Sequence, residues 1–244
     1  GADVNDKDKD GMTAIMRAAR GGHLETAKLL VEKGADVNAV EKDGYPVLIV
    51  TESMPFPPQL EIIKLLIEKG ANVNNKGKGD WTALMEAAKG HSYLRKSLID
   101  KGHKDVAMVP LEIAKLLIER GADINARHKN GSTALMVAAG NGQTETVILL
   151  IGKGADVNAR DMSGNTALMY LVAGYDSLMK RFSKAKRMDL AKGLETIPIE
   201  IANILITAGA DVTGKNNDGL TAYYFAIANG YTELAQLLEK TGGG

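Results

Sequence analysis

His23, His91, His103 and His128 are the side chains of this 244-residue chain best suited to proton transfer or metal binding near neutral pH. No cysteine accompanies them, which removes thiolate nucleophiles, disulfides and cysteine-ligated metals. His91 and His103 share one segment, but no carboxylate-rich context completes a metal motif around them. The glycines form neither a P-loop nor a dinucleotide fingerprint. The many aspartates sit in turns and at helix starts, where their side chains bond nearby backbone, and they do not pair as an acid/base dyad. No catalytic residue, metal, cofactor or small-molecule substrate is therefore expected.

What remains is the chemistry of recognition. Trp81 is the only tryptophan, and large aromatics such as Trp81 and Tyr45 are what protein-binding hot spots use. A second candidate is the stretch GYDSLMKRFSKAKRMDLAKGLETIP at 174–198. It sets Lys180, Arg181, Lys184, Lys186, Arg187 and Lys192 against Asp176, Asp189 and Glu195. Leu178, Phe182, Ala185 and Met188 recur at three- and four-residue spacing, which predicts a helix with an apolar side. A basic amphipathic helix can lie on a membrane surface or in a partner groove. An apolar stripe at helical spacing more often faces the protein's own core. The expectation is that the helix before this stretch continues outward into it, packs the stripe on Tyr93, Leu94, Leu98 and Ile99, and leaves the lysines solvated.

Bulk properties bound the rest. Hydrophobic residues make up 45% and charged residues 25%, a composition that can bury a core. No apolar run approaches the roughly 20 residues of a membrane-spanning helix. No basic-then-apolar leader opens the chain, so a cytoplasmic location is expected. The chain begins at Gly1 without a methionine, as an excised or processed fragment would. A net charge of zero argues against a globally basic nucleic-acid binder. The charge is nonetheless segregated. Lys89 to Pro110 and the 174–198 stretch carry a basic excess, and the remainder is acidic.

The elements that position these residues repeat. Gly-Ala-Asp-Val-Asn at Gly1 returns in close variants at Gly34, Gly70, Gly121, Gly154 and Gly209. Twelve residues after each glycine a second block starts: Thr13, Pro46, Thr82, Thr133, Thr166 and Thr221. The first repeat reads as a helix AIMRAAR capped by the Thr13 hydroxyl, a Gly21-Gly22 turn, and a second helix HLETAKLLVEK. Leu24, Ala27, Leu30 and Val31 share one face of that second helix, and Gly34 ends it as a left-handed cap. Glu25/Lys28, Glu61/Lys64 and Glu112/Lys115 are spaced as i,i+3 ion pairs.

This pattern resembles the ankyrin repeat, whose period is 33 residues and whose signature includes T-P-L-H-x-A. The resemblance implies an all-α solenoid with a β-turn finger and an antiparallel helix pair per repeat, whose usual role is binding other proteins. A single ankyrin repeat domain over 1–241 is expected, with a tail at 242–244 and a polar last helix that closes the stack. The histidine usual at the fourth position of the T-P-L-H block is Met16, Ile49, Met85, Met136, Met169 and Tyr224 here. Its hydrogen-bond network is therefore expected to be absent and replaced by packing. Val47–Thr51 would read alone as a strand, but phase makes it the weakest first helix. Gly79-Asp80 is expected to distort the third finger.

Spacing places insertions at about 52–58, 91–110 and 175–198, each between the two helices of a repeat. All end in proline, at Pro58, Pro110 and Pro198, which predicts second helices started by proline.

The family likeness puts the residue before each Thr position on an exposed binding face. These are Met12, Tyr45, Trp81, Ser132, Asn165 and Leu220. Lys9, Lys42, Lys78 and Lys129 form a second finger row, and Met162 belongs to the same surface. The expected function is non-catalytic binding of a partner protein through Met12, Tyr45, Trp81, Lys78, Lys129, Met162 and Leu220, by a monomer. The alternative is attachment to an anionic membrane, nucleic acid or acidic protein through Lys180, Arg181, Lys184, Lys186 and Arg187.

Overall fold

The computed structural model describes residues 3–52, 57–90, 104–184 and 194–242. Repeat one holds α1 (Ala14–Arg20) and α2 (Leu24–Glu32), and repeat two holds α3 (Val47–Glu52) and α4 (Pro57–Glu68). Repeat three has a short hairpin, β1 (Lys76–Gly77) and β2 (Trp81–Thr82), then α5 (Ala83–Lys89) and α6 (Lys104–Glu119). Repeat four holds α7 (Ala134–Gly140) and α8 (Thr144–Gly152). Repeat five holds α9 (Ala167–Lys184) and α10 (Thr196–Thr207), and repeat six α11 (Ala222–Ala228) and α12 (Thr232–Gly242).

The chain divides into two compact units, Gly1–Ala87 with Leu98–Asp123, and Ala88–Ser97 with Ile124–Gly244. In the first, α1 packs on α3, and α2 on α4 and α4 on α6. In the second, α7 packs on α9 and α9 on α11, while α8 packs on α10 and α10 on α12. First helices thus stack on first helices and second on second. A seven-residue helix such as AIMRAAR cannot stand alone in water. It persists because Ile15, Met16, Ala18 and Ala19 are all buried.

The fourth-position residues Met16, Ile49, Met85, Met136 and Met169 are all buried, as packing in place of histidine requires. Tyr224 departs: it is 53% exposed, because no described helix packs beyond α11. Hydrogen bonding between repeats is supplied from another position, which the sequence reading did not single out. The last residue of each G-A-D-V-N motif supplies it. Asn5 accepts from the Asp36 amide at 2.7 Å and donates to the Gly34 carbonyl at 3.2 Å. Asn38 does the same to Asn72 and Gly70 at 2.8 and 3.1 Å. Asn74 bonds Asp123 and Gly121, Asn125 bonds Asp156 and Gly154, and Asn158 bonds Asp211 and Gly209. A carboxamide carries both a donor and an acceptor, so one side chain can hold the left-handed glycine cap and the following amide together. Thr213 takes the position in repeat six and turns back onto Asp211 at 2.8 Å.

The glycine caps form as read: Gly34, Gly70, Gly121, Gly154 and Gly209 all have positive φ. The three i,i+3 ion pairs also form, at 2.7, 2.8 and 2.8 Å. Val47–Glu52 is helical despite its β-branched residues. Thr51 returns its hydroxyl to the Val47 carbonyl at 2.7 Å, and Val47 to Val50 are buried.

Two local expectations change. Thr82, Thr133 and Thr221 cap their helices through the hydroxyl at 3.2, 3.4 and 3.2 Å, but Thr13 does not. The Thr13 and Thr166 hydroxyls are buried without a partner. The bonds that do form lie at the long end of the range, so a small opening of the turn loses them. Proline starts only one second helix as read, since Pro57 and Pro58 open α4. Pro198 is the third residue of α10. Pro110 lies inside α6, which begins six residues earlier. That costs one backbone hydrogen bond, which burial of Ala107 and Val109 offsets. The first helix of repeat five continues outward as read, since α9 runs straight through Gly174, the position at which Gly21 and Asn141 end their helices.

Candidate partner-binding site

The fingers of repeats one, two and five are each closed by a side chain that accepts from its own turn. Asp8 accepts from the Asp10 and Met12 amides at 2.9 and 3.0 Å. Glu41 accepts from Asp43 and Tyr45 at 2.8 and 3.0 Å, and Asp161 from Ser163 and Asn165 at 2.9 and 2.7 Å. Repeat three has Gly77 at this position and, with no side chain there, cannot close that way. It forms the β1–β2 hairpin instead, with Gly77 opposite Trp81. Gly79 and Asp80 both take left-handed backbone there, at φ 72° and 64°. Asp80 is the non-glycine residue that does so among those described, and aspartate tolerates that region better than most side chains. The distortion expected from Gly79-Asp80 is this hairpin.

The first helix then reaches back to its finger. Arg17 of α1 donates through Nε to Asp8 at 3.0 Å and pairs with Asp10 at 3.1 Å. Hydrogen bonding from Arg17 holds the Asp8 carboxyl below its ordinary range. Glu86 of α5 accepts from the Trp81 indole at 2.9 Å. Tyr170 of α9 donates its hydroxyl to Asp161 at 3.0 Å. Burial, followed by the Asp161 carboxylate, pushes Tyr170 up to about 12. Arg17, Glu86 and Tyr170 all occupy the fifth position of the Thr block. These tethers were not anticipated, although an acid nine residues before Arg17 and before Tyr170 was a visible signal.

In the first unit, Tyr45 and Trp81 each border Gly77. A Cβ added to Gly77 would stand 2.7 Å from the Tyr45 ring, so only glycine leaves room for it. Gly77 is also the ladder partner of Trp81. Both aromatics are half-buried, not fully displayed. Met12 does not join them as an exposed residue. It is 6% exposed, since the Asp8 bond to its amide turns the stem inward. Ser132 is likewise buried. Lys78 is exposed at the third fingertip.

In the second unit, Met162 is 74% exposed, and its backbone is held on both sides. Its amide donates to Asn130 at 2.8 Å and its carbonyl accepts from Asn217 at 2.9 Å. Lys129 is exposed on the neighbouring tip, and Leu220 is half-buried.

The basic edge is only partly described. Lys180 pairs with Asp176 at 2.6 Å, and Asp176 also accepts from Tyr231 at 3.3 Å. Arg181 and Lys184 are exposed on α9. Lys186 and Arg187 lie outside the described residues, as do Ala185, Met188 and the Tyr93–Ile99 segment expected to cover the apolar stripe. Among the described residues, those packed on that stripe belong to repeat five. Phe182 and Leu194 are buried together, with Leu178, Met179 and Ile197 against them. Among the described residues no group of three or more His, Asp or Glu could hold a metal ion, and no helix is long and apolar enough to cross a membrane.

Known proteins show the same organisation. A family model described as "Ankyrin repeats (3 copies)" matches residues 106–189, one described as "Ankyrin repeats (many copies)" matches 1–49, and a single "Ankyrin repeat" model matches 79–129. The chain is an ankyrin repeat protein. A crystal structure of an ankyrin repeat domain from Acinetobacter baumannii AYE superposes with a TM-score of 0.69 at 24% identity, covering 93% of this chain and 97% of that one. The ankyrin repeat solenoid is thus its fold. Ankyrin repeat and KH domain-containing protein mask-1 of Caenorhabditis elegans is 28% identical over 94% of this ankyrin chain, and the match spans 10% of that protein. The mitochondrial disaggregase of Bos taurus is 29% identical over 67% of this chain and 22% of its own length. The chain therefore spans only a small part of these curated relatives. Ankyrin repeats generally mediate protein–protein interaction, and the fold is typically non-enzymatic.

Proposed function

We propose that this ankyrin repeat protein is a non-catalytic scaffold that binds a partner protein on its finger and first-helix face. The observation that carries the reading is the Tyr45–Gly77–Trp81 arrangement in the first unit. Two aromatics on consecutive fingers are held in place before any partner arrives, one over a glycine and the other by its bond to Glu86. Pre-ordered, half-exposed aromatics lose little freedom on binding. Lys78 borders them, while Lys129, Met162 and Leu220 extend the same kind of face in the second unit. Partners are identified by pull-down and mass spectrometry, and affinity is then measured with the isolated partner. Trp81→Ala and Tyr45→Ala should each weaken it by about 1–2 kcal/mol. Unchanged affinity in both overturns the reading.

A second reading has one observation in its favour. The α9 extension carries Arg181 and Lys184 on an exposed side while its apolar side is occupied by Leu194 and Ile197. This edge would attract an anionic surface, and such binding weakens steeply with added salt. Binding that does not respond to salt removes it.

A further inference from the structure

We propose that the fingertips of repeats one to three dock an acidic, extended segment of the partner protein, with Lys9, Lys42 and Lys78 as its charged contacts. This rests on the protein-binding reading above and gives the partner a chemistry. The three lysines occupy the same repeat position, four residues before Thr13, Pro46 and Thr82. All three are exposed. Among the described residues none of their ammonium groups has a hydrogen bond or ion pair.

Their neighbours differ. Lys7 is spent on the Val40 carbonyl at 2.8 Å, and Lys76 faces Asp80 at 3.8 Å. The nearby carboxylates are largely engaged as well. Arg17 holds Asp8 and Asp10, Lys76 draws Asp80, and Glu41 turns back onto its own finger. The ridge is balanced in formal charge, but most of its carboxylates are paired or bonded to backbone while the three ammonium groups are free, and Asp43 stays exposed among them. Screening by water is weakest for charges in direct contact, so the unpaired ammonium groups are the charges a docking chain would pair with.

The tips are also in register. The Lys42 amide donates to the Asp10 carbonyl at 3.2 Å. A Cβ added to Gly44 would lie 4.0 Å from the Lys78 amide. Three cations in a line match carboxylates spaced along an extended chain. A net charge of zero gives no broad positive field of the kind phosphate backbones or membranes recruit.

The intact chain is titrated into a fluorescein-labelled 15-residue peptide of alternating Glu and Ser, with anisotropy as the readout. The combined Lys9→Gln, Lys42→Gln and Lys78→Gln variant should bind roughly tenfold more weakly, with unchanged circular dichroism. Asp43→Asn, which removes a carboxylate between the lysines, should tighten binding roughly twofold. A charge-matched control, Lys33→Gln with Lys69→Gln and Lys153→Gln, should match wild type. The inference is overturned if the control weakens binding equally, if a Gln/Ser peptide binds as well, or if an oligouridine or phosphatidylserine vesicle binds more tightly through the same lysines. Partner binding that needs Trp81 and Tyr45 but not the lysines rejects the ridge alone. The reverse pattern rejects the aromatic site alone.

Discussion

Gly174 of α9 crosses Gly140 at the end of α7 with no room for a side chain: a Cβ on Gly174 would overlap the Gly140 carbonyl. This contact explains how α9 runs on to Lys184 where the other first helices turn. At the same repeat position Gly21 and Asn141 close their helices. At Gly174 the backbone stays helical and slides past the neighbouring repeat instead. Gly174→Ala should therefore destabilise the protein by about 3 kcal/mol, as overpacking against rigid backbone does. Chemical denaturation measures it. Gly140→Ala, whose Cβ would meet the Tyr170 carbonyl at 3.1 Å, should cost less. Equal small effects would show that the helices separate freely.

The asparagine ladder predicts a different pattern. Asn38→Ala removes three bonds, to the Gly70 carbonyl, the Asn72 amide and the Asn75 carboxamide. The loss should be about 1–2 kcal/mol in urea denaturation. Because repeats couple mainly to their neighbours, hydrogen exchange should rise first at residues 70–74. Thr213→Ala removes only a bond to its own turn and should cost under about 0.5 kcal/mol.

How much of this was legible in the sequence depends on whether a feature repeats. Gly34 and its equivalents, the Glu/Lys pairs and the helix pairs follow the period and could be read directly. The ladder recurs just as regularly at Asn5, Asn38, Asn74, Asn125 and Asn158. It was not legible as a link between repeats because an asparagine in a turn is equally well used by its own backbone. Features peculiar to one repeat were not legible. Nothing local says that Pro110 sits inside a helix, because that choice is made by burial of Ala107 and Val109. The burial of Met12 likewise follows from how Asp8 closes its finger. Tyr45 and Trp81 were legible as residue types, but their shared border on Gly77 depends on the hairpin that replaces the third finger.

Tyr170 sets an alkaline limit. Its folded form is pushed up to about 12 while the unfolded side chain ionises near 10. Between these values the unfolded state has lost a proton that the folded state keeps, so stability falls as pH rises from about 10 to about 12. Below pH 10 the contribution is fully present. Tyr170→Phe should flatten that decline without abolishing it, because burial also raises Tyr231 and Tyr175. Denaturation midpoints across the window, with tyrosinate absorbance as the titration signal, test the sign. A steeper decline in the variant contradicts the assignment.

Phe182 tests whether the α9 extension is a separately held element. Its ring is buried with Leu194 and flanked by Leu178, Met179 and Ile197. At its base, Asp176 accepts from Lys180 and from Tyr231, and the Tyr175 and Tyr231 rings meet at 4.9 Å. The base therefore stays anchored to repeat six when the far end is loosened. Phe182→Ala should lower the local opening free energy at residues 178–184 by about 2 kcal/mol, speeding amide exchange there roughly 30-fold. Amides of Leu168 to Val172, buried against α7, should keep their protection. Loss of protection along the whole of α9 would mean that the extension and the repeat form one cooperative helix, and no change would mean that Leu194 and Ile197 hold it without the ring.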